Sequence, residues 1–527
     1  MDTSPPAWQR HGMRVKALLA GFLSLLSWSL GTIARAQDAA PASPTLKLTV
    51  KADYLALRIT GTTNITANAW QWRVLPGGPE DMVAWSHFDL PVADGAFKLA
   101  TPMPAGGWYC VEVRALDGEK VIKEAGVTRP EPAAFVHVTP DRIESLPESE
   151  RVAWKAYLAR SRENEHADHE TLATECREIR AAASKPAPTD SERFVCPTKV
   201  AASYFASPEA ATLASVILSY QTPAGAWSKA VDYSKGARPR GTHWTTQSEA
   251  GWHYCGTLDN YSTTEQIKFL ALVDQATKRE DCRAGALRGL EWLLAAQFPN
   301  GGWPQVYPLE SGYHEAITLN DDAMLHALDL LLAVRAGEEP FGFCDEALRK
   351  RAGAAYERGI QCVLACQVQV QGKRTVWCAQ HHPITLTPVA ARLKEPVSLS
   401  GAESANLLKF LMRDGPTTDA VLSSVEDAIV WLDAHRITNL RKTTNAAGKT
   451  DYVKDPASTE VLWARFYDVE TGEPIFAGGQ DGVVYKTYHD MAEHNKVTYD
   501  YFTTKPGDIV GKERERWKKR LEKVGKR

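Results

Sequence analysis

Three apolar runs of helical periodicity each end in a glutamine that is soon followed by glycine and tryptophan: "QTPAGAWSK" at 221–229, "QFPNGGWPQ" at 297–305 and "QVQVQGKRTVW" at 367–377. The glutamines, Gln221, Gln297 and Gln367, stand 76 and 70 residues apart. A period near 70 residues suits a helix–loop–helix–loop unit, and repeated units of that kind bury their apolar faces against their own neighbours. The central chain is thereby restricted to helical hairpins packed side by side, and three hairpins can close into an α/α toroid. At each junction the glutamine is placed to satisfy carbonyls left over at a helix end. Trp227, Trp303 and Trp377 are placed to pack between hairpins.

Other periods mark other material. Arg10, Arg14 and Lys16 precede an apolar run from Ala17 to Ile33, and Ala34-Arg35-Ala36 supplies the small residues of a cleavage site. Residues 1–36 therefore read as an export signal cut near Ala36, for a periplasmic or extracellular protein, and 37–44 as a linker. No later segment is apolar enough to span a bilayer. From 45 to 137 the pattern alternates, as in Leu46-Leu48-Val50, Leu55-Leu57-Ile59 and Tyr109-Val111-Val113, with turns such as Asp94-Gly95 between the runs. Such a stretch predicts a small all-β sandwich whose tryptophans form its core. From 138 to 527 the period is helical: Leu287-Leu290-Leu294, Met324-Leu328-Leu331 and a long helix over 346–367. The fold class expected is mainly α, an (α/α)3 toroid preceded by the sandwich. The basic last 23 residues suit a solvated amphipathic helix. Nine cysteines, none in a Cys-x-x-Cys pair, suit buried thiols or one adventitious disulfide better than zinc. A net charge of -3 excludes the basic surplus of a nucleic-acid binder.

Beyond each tryptophan comes an acid near the start of the next helix: Asp259 in "TLDNYSTTE", Asp321 in "TLNDDAM" and Glu403 in "SLSGAES". Ser262 with Glu265, and Ser400 with Glu403, have the spacing of a capping box. One acid at a helix start is ordinarily a cap or a partner for the macrodipole. Asp259-Asn260 and Asn320-Asp321-Asp322 offer more oxygens than caps need, and oxygen ligands without histidine or cysteine suit a calcium-type cation. If the copies are equivalent, Asp259, Asp321 and Glu403 face one mouth of the toroid. Lys229, Arg392, Lys394 and Arg465 supply positive charge, and Trp303, Tyr307 and Tyr313 supply rings. A cation site beside several bases suits an anionic substrate, and an acidic polysaccharide fits.

The runs "GTLDNYSTTEQIKFLA", "QFPNGGWPQVYPLESGYHEAITLNDDAM", "WCAQHHPITLTPVAAR", "SLSGAES" and "LWARFYD", which follow one another in this order along the chain, resemble the family-10 polysaccharide lyases, pectate lyases built on an (α/α)3 toroid. The resemblance covers about 140–502 and leaves the sandwich outside. It implies β-elimination on homogalacturonan (pectate) with a calcium ion between enzyme and substrate carboxylate. Asp259, Asn260 and Asp321 match the metal and carboxylate cluster, with Asp321 also at the catalytic centre, and Arg392 matches the arginine proposed as base. Lys229, Trp303, Tyr307, Asn320, Asp322, Glu403, Arg465 and Gln480 complete the expected substrate contacts. An arginine base is chemically awkward, because its pKa lies near or above 12 and little of it is deprotonated at neutral pH. Two positions depart from the pattern: Gln480 stands where an arginine that grips carboxylate is expected, and His382 where an aspartate is common. Gln480 offers a hydrogen bond but no charged fork, which favours a partly methylated pectin or another uronate. The alternatives are a glycoside hydrolase on the same toroid, using Asp321 and Glu403, and a uronate-binding protein without catalysis.

Overall fold

Among the described residues, the alternating apolar pattern after the linker forms seven strands: β1 Leu46–Ala52, β2 Ala56–Thr63, β3 Ala69–Pro76, β4 Ser86–His87, β5 Ala96–Pro102, β6 Tyr109–Asp117 and β7 Lys120–Arg129. The computed structural model describes residues 43–526 apart from 53–55, 77–85, 88–91, 93–94, 103–108, 130–137, 190–195, 247–253, 311, 393, 446–447 and 480–482. The expected export signal at 1–36 and Gln480 thus lie outside the described residues. The strands make two antiparallel sheets, ordered β1-β2-β5 and β4-β3-β6-β7. Inward residues of both, among them Leu46, Ile59, Trp70, Phe97 and Val113, form one apolar core. Phe97 lies so close over Gly61 that a Cβ there would meet its ring at 2.0 Å, which is why that strand position carries no side chain. Trp70 packs in this core, 5.9 Å from Phe97, as the sequence suggests.

The rest is mainly helical: α1 Pro140–Glu144, α2 Glu148–Glu178, α3 Pro208–Ser219, α4 Thr264–Thr277, α5 Glu280–Ala296, α6 Ala323–Ala336, α7 Glu346–Cys366, α8 Gly401–Asp414, α9 Asp419–Ala434, α10 Tyr488–His494, α11 Lys505–Asp508 and α12 Arg514–Lys523. The basic tail forms α12 and anchors itself through buried Trp517 and Leu521. Helices α4 and α5, α6 and α7, and α8 and α9 pack as hairpins, and α3 packs on α5, α5 on α7 and α7 on α9. Among the described residues eight cysteines are free thiols, and all of these but Cys176 are buried.

The glutamine repeat is the strap between these helices. Gln221, just beyond α3, donates from Nε2 to its own turn at Gly225 O (2.8 Å) and across to Gly285 O on α5 (2.9 Å). Gln297 beyond α5 does the same to Gly301 O and to Ala355 O on α7, and Gln367 beyond α7 to Thr375 O and to Ser424 O on α9. Each tryptophan closes the helix behind it: Trp227, Trp303 and Trp377 donate from Nε1 to Ile217, Leu293 and Val363, the carbonyl four residues before each glutamine. These are the carbonyls a helix end leaves without an intrahelical partner. Removing one such indole costs about 3–5 kcal/mol by the general cost of emptying a buried aromatic site.

Candidate active site

Each repeat enters its hairpin through a short bend, and two of the bends are built alike. Asp259–Tyr261 and Asn320–Asp322 are single 3-10 turns preceding α4 and α6. Both hold left-handed residues without glycine, Asn260 at φ 53° and Tyr261 at 65°, Asp321 at 51° and Asp322 at 58°. Asn and Asp tolerate this region and a tyrosine seldom visits it, so the turns keep strain that neighbouring structure must enforce. The enforcement is visible: Leu258 N donates to Gln305 O at 3.0 Å, and Leu319 N and Asn320 N both donate to Ala379 O at 2.8 and 2.9 Å. In this register Asp259 corresponds to Asn320 and Asn260 to Asp321, so the two turns carry one acid and one amide in exchanged order. The three acids Asp259, Asp321 and Glu403 are therefore not the same repeat position. Glu403 lies inside α8. Its partner Ser400 does cap that helix, accepting from Glu403 N at 3.2 Å. Ser262 caps nothing: α4 begins after Thr263, whose hydroxyl is committed to the carbonyls of Trp227 and Thr257.

The charged side chains nevertheless converge. Asp321 opens to solvent, and its carboxyl lies within the electrostatic reach of Asp259, Glu403, Arg392 and Arg465. Burial, then the negative charges of Asp259 and Glu403, raise its pKa; the two arginines pull the other way and do not win. Buried Asn320 donates to Asp321 Oδ2 at 2.8 Å. Asp259 is buried too; its Oδ2 accepts from Lys229 Nζ at 2.6 Å, and its Oδ1 accepts from no described residue. Lys229 Nζ rests 3.2 Å above the Tyr254 ring, whose hydroxyl is 2.8 Å from that of Tyr313. Asp322 turns to α8 and is held by Asn406 Nδ2 at 2.9 and 3.0 Å; burial still raises its pKa.

The arginines are built differently. Arg392 grips Glu395 with two nitrogens, Nε at 2.9 Å and Nη2 at 2.6 Å, and Nη2 also reaches the Tyr499 hydroxyl at 2.6 Å. Tyr499 in turn donates to Glu395. Burial alone would lower the Arg392 pKa, but the Glu395 carboxylate carries it well above the ordinary value. Glu395, although buried, is held below the usual carboxylate range by the same contact. Arg465 donates to Glu403 at 2.6 Å and stacks its guanidinium 4.3 Å from the Tyr499 ring; Lys394 Nζ lies 4.4 Å from that ring.

Some expected contacts are corrected. Trp303 and Tyr307 expose none of their surface, Trp303 closing α5 and Tyr307 accepting from Asn164, so neither presents a ring to a substrate. The exposed ring at the site is Tyr261, 38% accessible and backed by His326 at 4.1 Å; a lone tyrosine between Asn260 and Ser262 gave the sequence no sign of it. Glu395 and Tyr499 were also missed. The Arg-x-x-Glu spacing of Arg392 and Glu395 was the available signal, whereas Tyr499 is 107 residues from Arg392 and gave none. His382 is buried and accepts from Ile384 N and Thr385 N at 2.9 Å each, the turn-capping task an aspartate performs. Burial lowers its pKa to about 4, so the imidazole stays neutral and free to accept.

Among the described residues no three His, Cys, Asp or Glu side chains gather as a ready metal-ligand set. Asp259 and Asp321 with two amides are what the turns offer. They fit a hard cation in one respect: Asp259 Oδ1 is a buried acceptor without a donor, and Asp321 is short of positive charge.

Comparison with known proteins bears on the same segment. The family model for pectic acid lyase matches residues 221–510. Two solved structures of the family 10 polysaccharide lyase from Cellvibrio cellulosa are similar in fold. A variant in complex with trigalacturonic acid shares 27% identity at a TM-score of 0.51, covering 62% of this chain and 99% of that one. Another structure of the enzyme shares 28% identity at 0.51, covering 63% and 97%. A search of curated proteins returned no match. With the family model spanning more than half of its length, the chain belongs to the pectic acid lyase family and is a polysaccharide lyase.

Proposed function

We propose that the protein is an exported pectate lyase that cleaves homogalacturonan by β-elimination with calcium held at the two repeated turns. The observation that carries this reading is the buried, partnerless Asp259 Oδ1 beside an Asp321 whose pKa is raised, both set against Arg392 and Arg465. Asp259, Asp321 and Asn260 would hold the ion. Two carboxylates and an amide would leave a calcium ion short of its usual about six to eight oxygen ligands, and a substrate carboxylate would suit the remaining positions. When bound, the cation lowers the cost of the charge that appears on that carboxylate as the C5 proton leaves. The chain's own groups do the rest. Lys229 and Arg465 orient carboxylates, Asn320 fixes Asp321, Tyr261 offers a face to a sugar ring, and Arg392 stands as the proton acceptor. The three hairpins are read as closing into an (α/α)3 toroid, with the two sheets as a separate sandwich over 45–137. Calcium, export and the toroid belong to this proposal.

A second reading of Arg392 is favoured by its grip on Glu395 and Tyr499. A guanidinium held that way stays protonated and stabilises developing negative charge without taking a proton. The pH–rate profile separates the two. An acceptor with a raised pKa gives a rate that climbs through the alkaline range, since the competent fraction grows with pH; a stabiliser gives a plateau near neutrality. The hydrolase alternative loses ground because Glu403 is buried and both its oxygens are already engaged, by Arg465 and by Ser400, so it is not presented to a glycosidic oxygen.

The test is to incubate the purified protein with polygalacturonate and follow the ultraviolet absorbance of an unsaturated uronate, with and without a chelator. Elimination gives absorbance that chelation stops and calcium restores. Release of reducing ends without absorbance means hydrolysis, and tight binding without either means a binding protein.

A further inference from the structure

The third repeat breaks the pattern of the first two, and a cavity lies where it does. In the first repeat Gln221 Oε1 accepts from Arg288, and in the second Gln297 Oε1 accepts from Arg358. Each arginine sits three residues beyond the carbonyl its glutamine strap reaches. In the third repeat that position, three beyond Ser424, is Asp427, and Gln367 Oε1 accepts from no described residue. The turn changes as well. Gly225 and Gly301 let the first two turns lie flat on the next helix, where a Cβ would come within 2.6 and 2.1 Å of the Arg288 and Arg358 carbonyls. The third turn is instead a β-hairpin, Gln369–Val370 paired with Lys373–Arg374.

Between this hairpin, α9 and the turn at 470–472 lies an open cavity of about 770 Å³, lined by Lys373, Arg374, Asp427, Trp431, His435 and Glu470 among others. Trp431 is partly exposed and rigidly set: His435 stacks on it at 3.9 Å and 15°, and Tyr467 meets it edge-on at 5.1 Å. His435 Nδ1 is in turn 2.7 Å from Trp431 O. Arg374 reaches Ser423 Oγ at 3.1 Å and Asp427 at 3.5 Å, so the rim is polar with both signs present. A fixed, partly exposed indole with polar groups around it suits a pyranose ring, which has one apolar face and hydroxyls at its edge. Because α8 and α9 form a hairpin, the C-terminal end of α9 lies at the same end of the helices as the α8 N-terminus, where Glu403 sits.

We infer that the Trp431 cavity is a distal subsite for a galacturonan unit of the same polymer that occupies the groove, with Lys373 and Arg374 beside the sugar carboxylate. This rests on the lyase reading above. The experiment compares full-length protein and Trp431→Ala on polygalacturonate and on trigalacturonate, with melting temperature as a check on folding. The expected result is a KM for polygalacturonate about three- to tenfold higher, the scale of one lost stacking contact, with kcat kept, trigalacturonate kinetics unchanged and most of the loss recovered in Trp431→Phe. Lys373→Glu, on the exposed hairpin and far from any core, should weaken the polymer alone in the same sense. Equal losses on both substrates, or none on either, overturn the inference. If the protein turns over neither substrate, the lyase reading has failed, and isotherms of polygalacturonate on wild type and Trp431→Ala decide the cavity alone: equal affinities reject it and weaker binding by the variant supports it.

Discussion

The acids on the two repeated turns and the arginines facing them meet burial in opposite ways. Arg392 and Arg465 each have a glutamate of their own, Glu395 and Glu403, buried and within 2.6 Å. Tyr499 joins the two pairs through its hydroxyl and ring. Asp259 shares one oxygen with Lys229 and leaves the other bare, and Asp321 has an amide for a neighbour and two carboxylates in range. A buried carboxylate oxygen without a donor, as at Asp259, is costly to keep, whereas a bidentate arginine pair such as Arg392 with Glu395 is among the stronger contacts a protein makes. The contrast separates a half of the site whose charges are paired within the protein, apart from Arg465 Nε, which has no acceptor among the described residues, from a half that the proposed cation and substrate would complete.

The comparison breaks most visibly at Arg392. Arg392→Ala is expected to lower kcat by about 10²–10⁴, the range for a group acting on the reacting proton. It also strands buried Glu395, so the melting temperature falls; adding Glu395→Gln should restore the temperature and not the activity. Substantial turnover in Arg392→Ala would remove that residue from the reaction. On the acid side, Asp321→Asn keeps shape and loses charge. It should demand at least about tenfold more calcium for half-maximal rate, the lower scale for disturbing a metal site. An unchanged calcium requirement would take Asp321 out of the ligand set.

Tyr261→Ala tests the exposed ring on the strained turn. A rise of about three- to tenfold in KM with kcat kept is expected, and Tyr261→Phe should behave as wild type. The smallest effect is one of pH. Because the folded pKa of Asp321 is raised, its contribution to stability is present in full below the ordinary aspartate value and is lost as pH rises through the raised one. Without calcium, the melting temperature of wild type relative to Asp321→Asn should therefore fall on going from acid to neutral pH, and calcium should abolish the difference. A gap that does not move with pH would mean that Asp321 carries no such strain.

What the sequence made legible follows from period. The straps at Gln221, Gln297 and Gln367 and the tryptophans behind them show because each copy repeats the same bonds at the same offset. The meeting of Asp259 with Asp321 was legible for the same reason. Their register was not, since Asp-Asn and Asn-Asp read alike until the left-handed residue of each turn is seen. Trp303 and Tyr307 were misplaced because a tryptophan beside glycine looks the same whether its ring faces sugar or core. Tyr499 was hidden by distance along the chain, and the cavity at Trp431 by a change that sequence shows only as a missing arginine.

In the proposed mechanism the acid half needs its substrate to hold a cation. Calcium binding to the wild-type protein, measured by titration calorimetry alone and again with saturating trigalacturonate, tests this directly. Weak binding that tightens at least tenfold with the oligomer, and equally tighter oligomer binding with calcium, is the result expected of coupled sites. Calcium binding of the same strength with and without trigalacturonate, or none in either case, would contradict it.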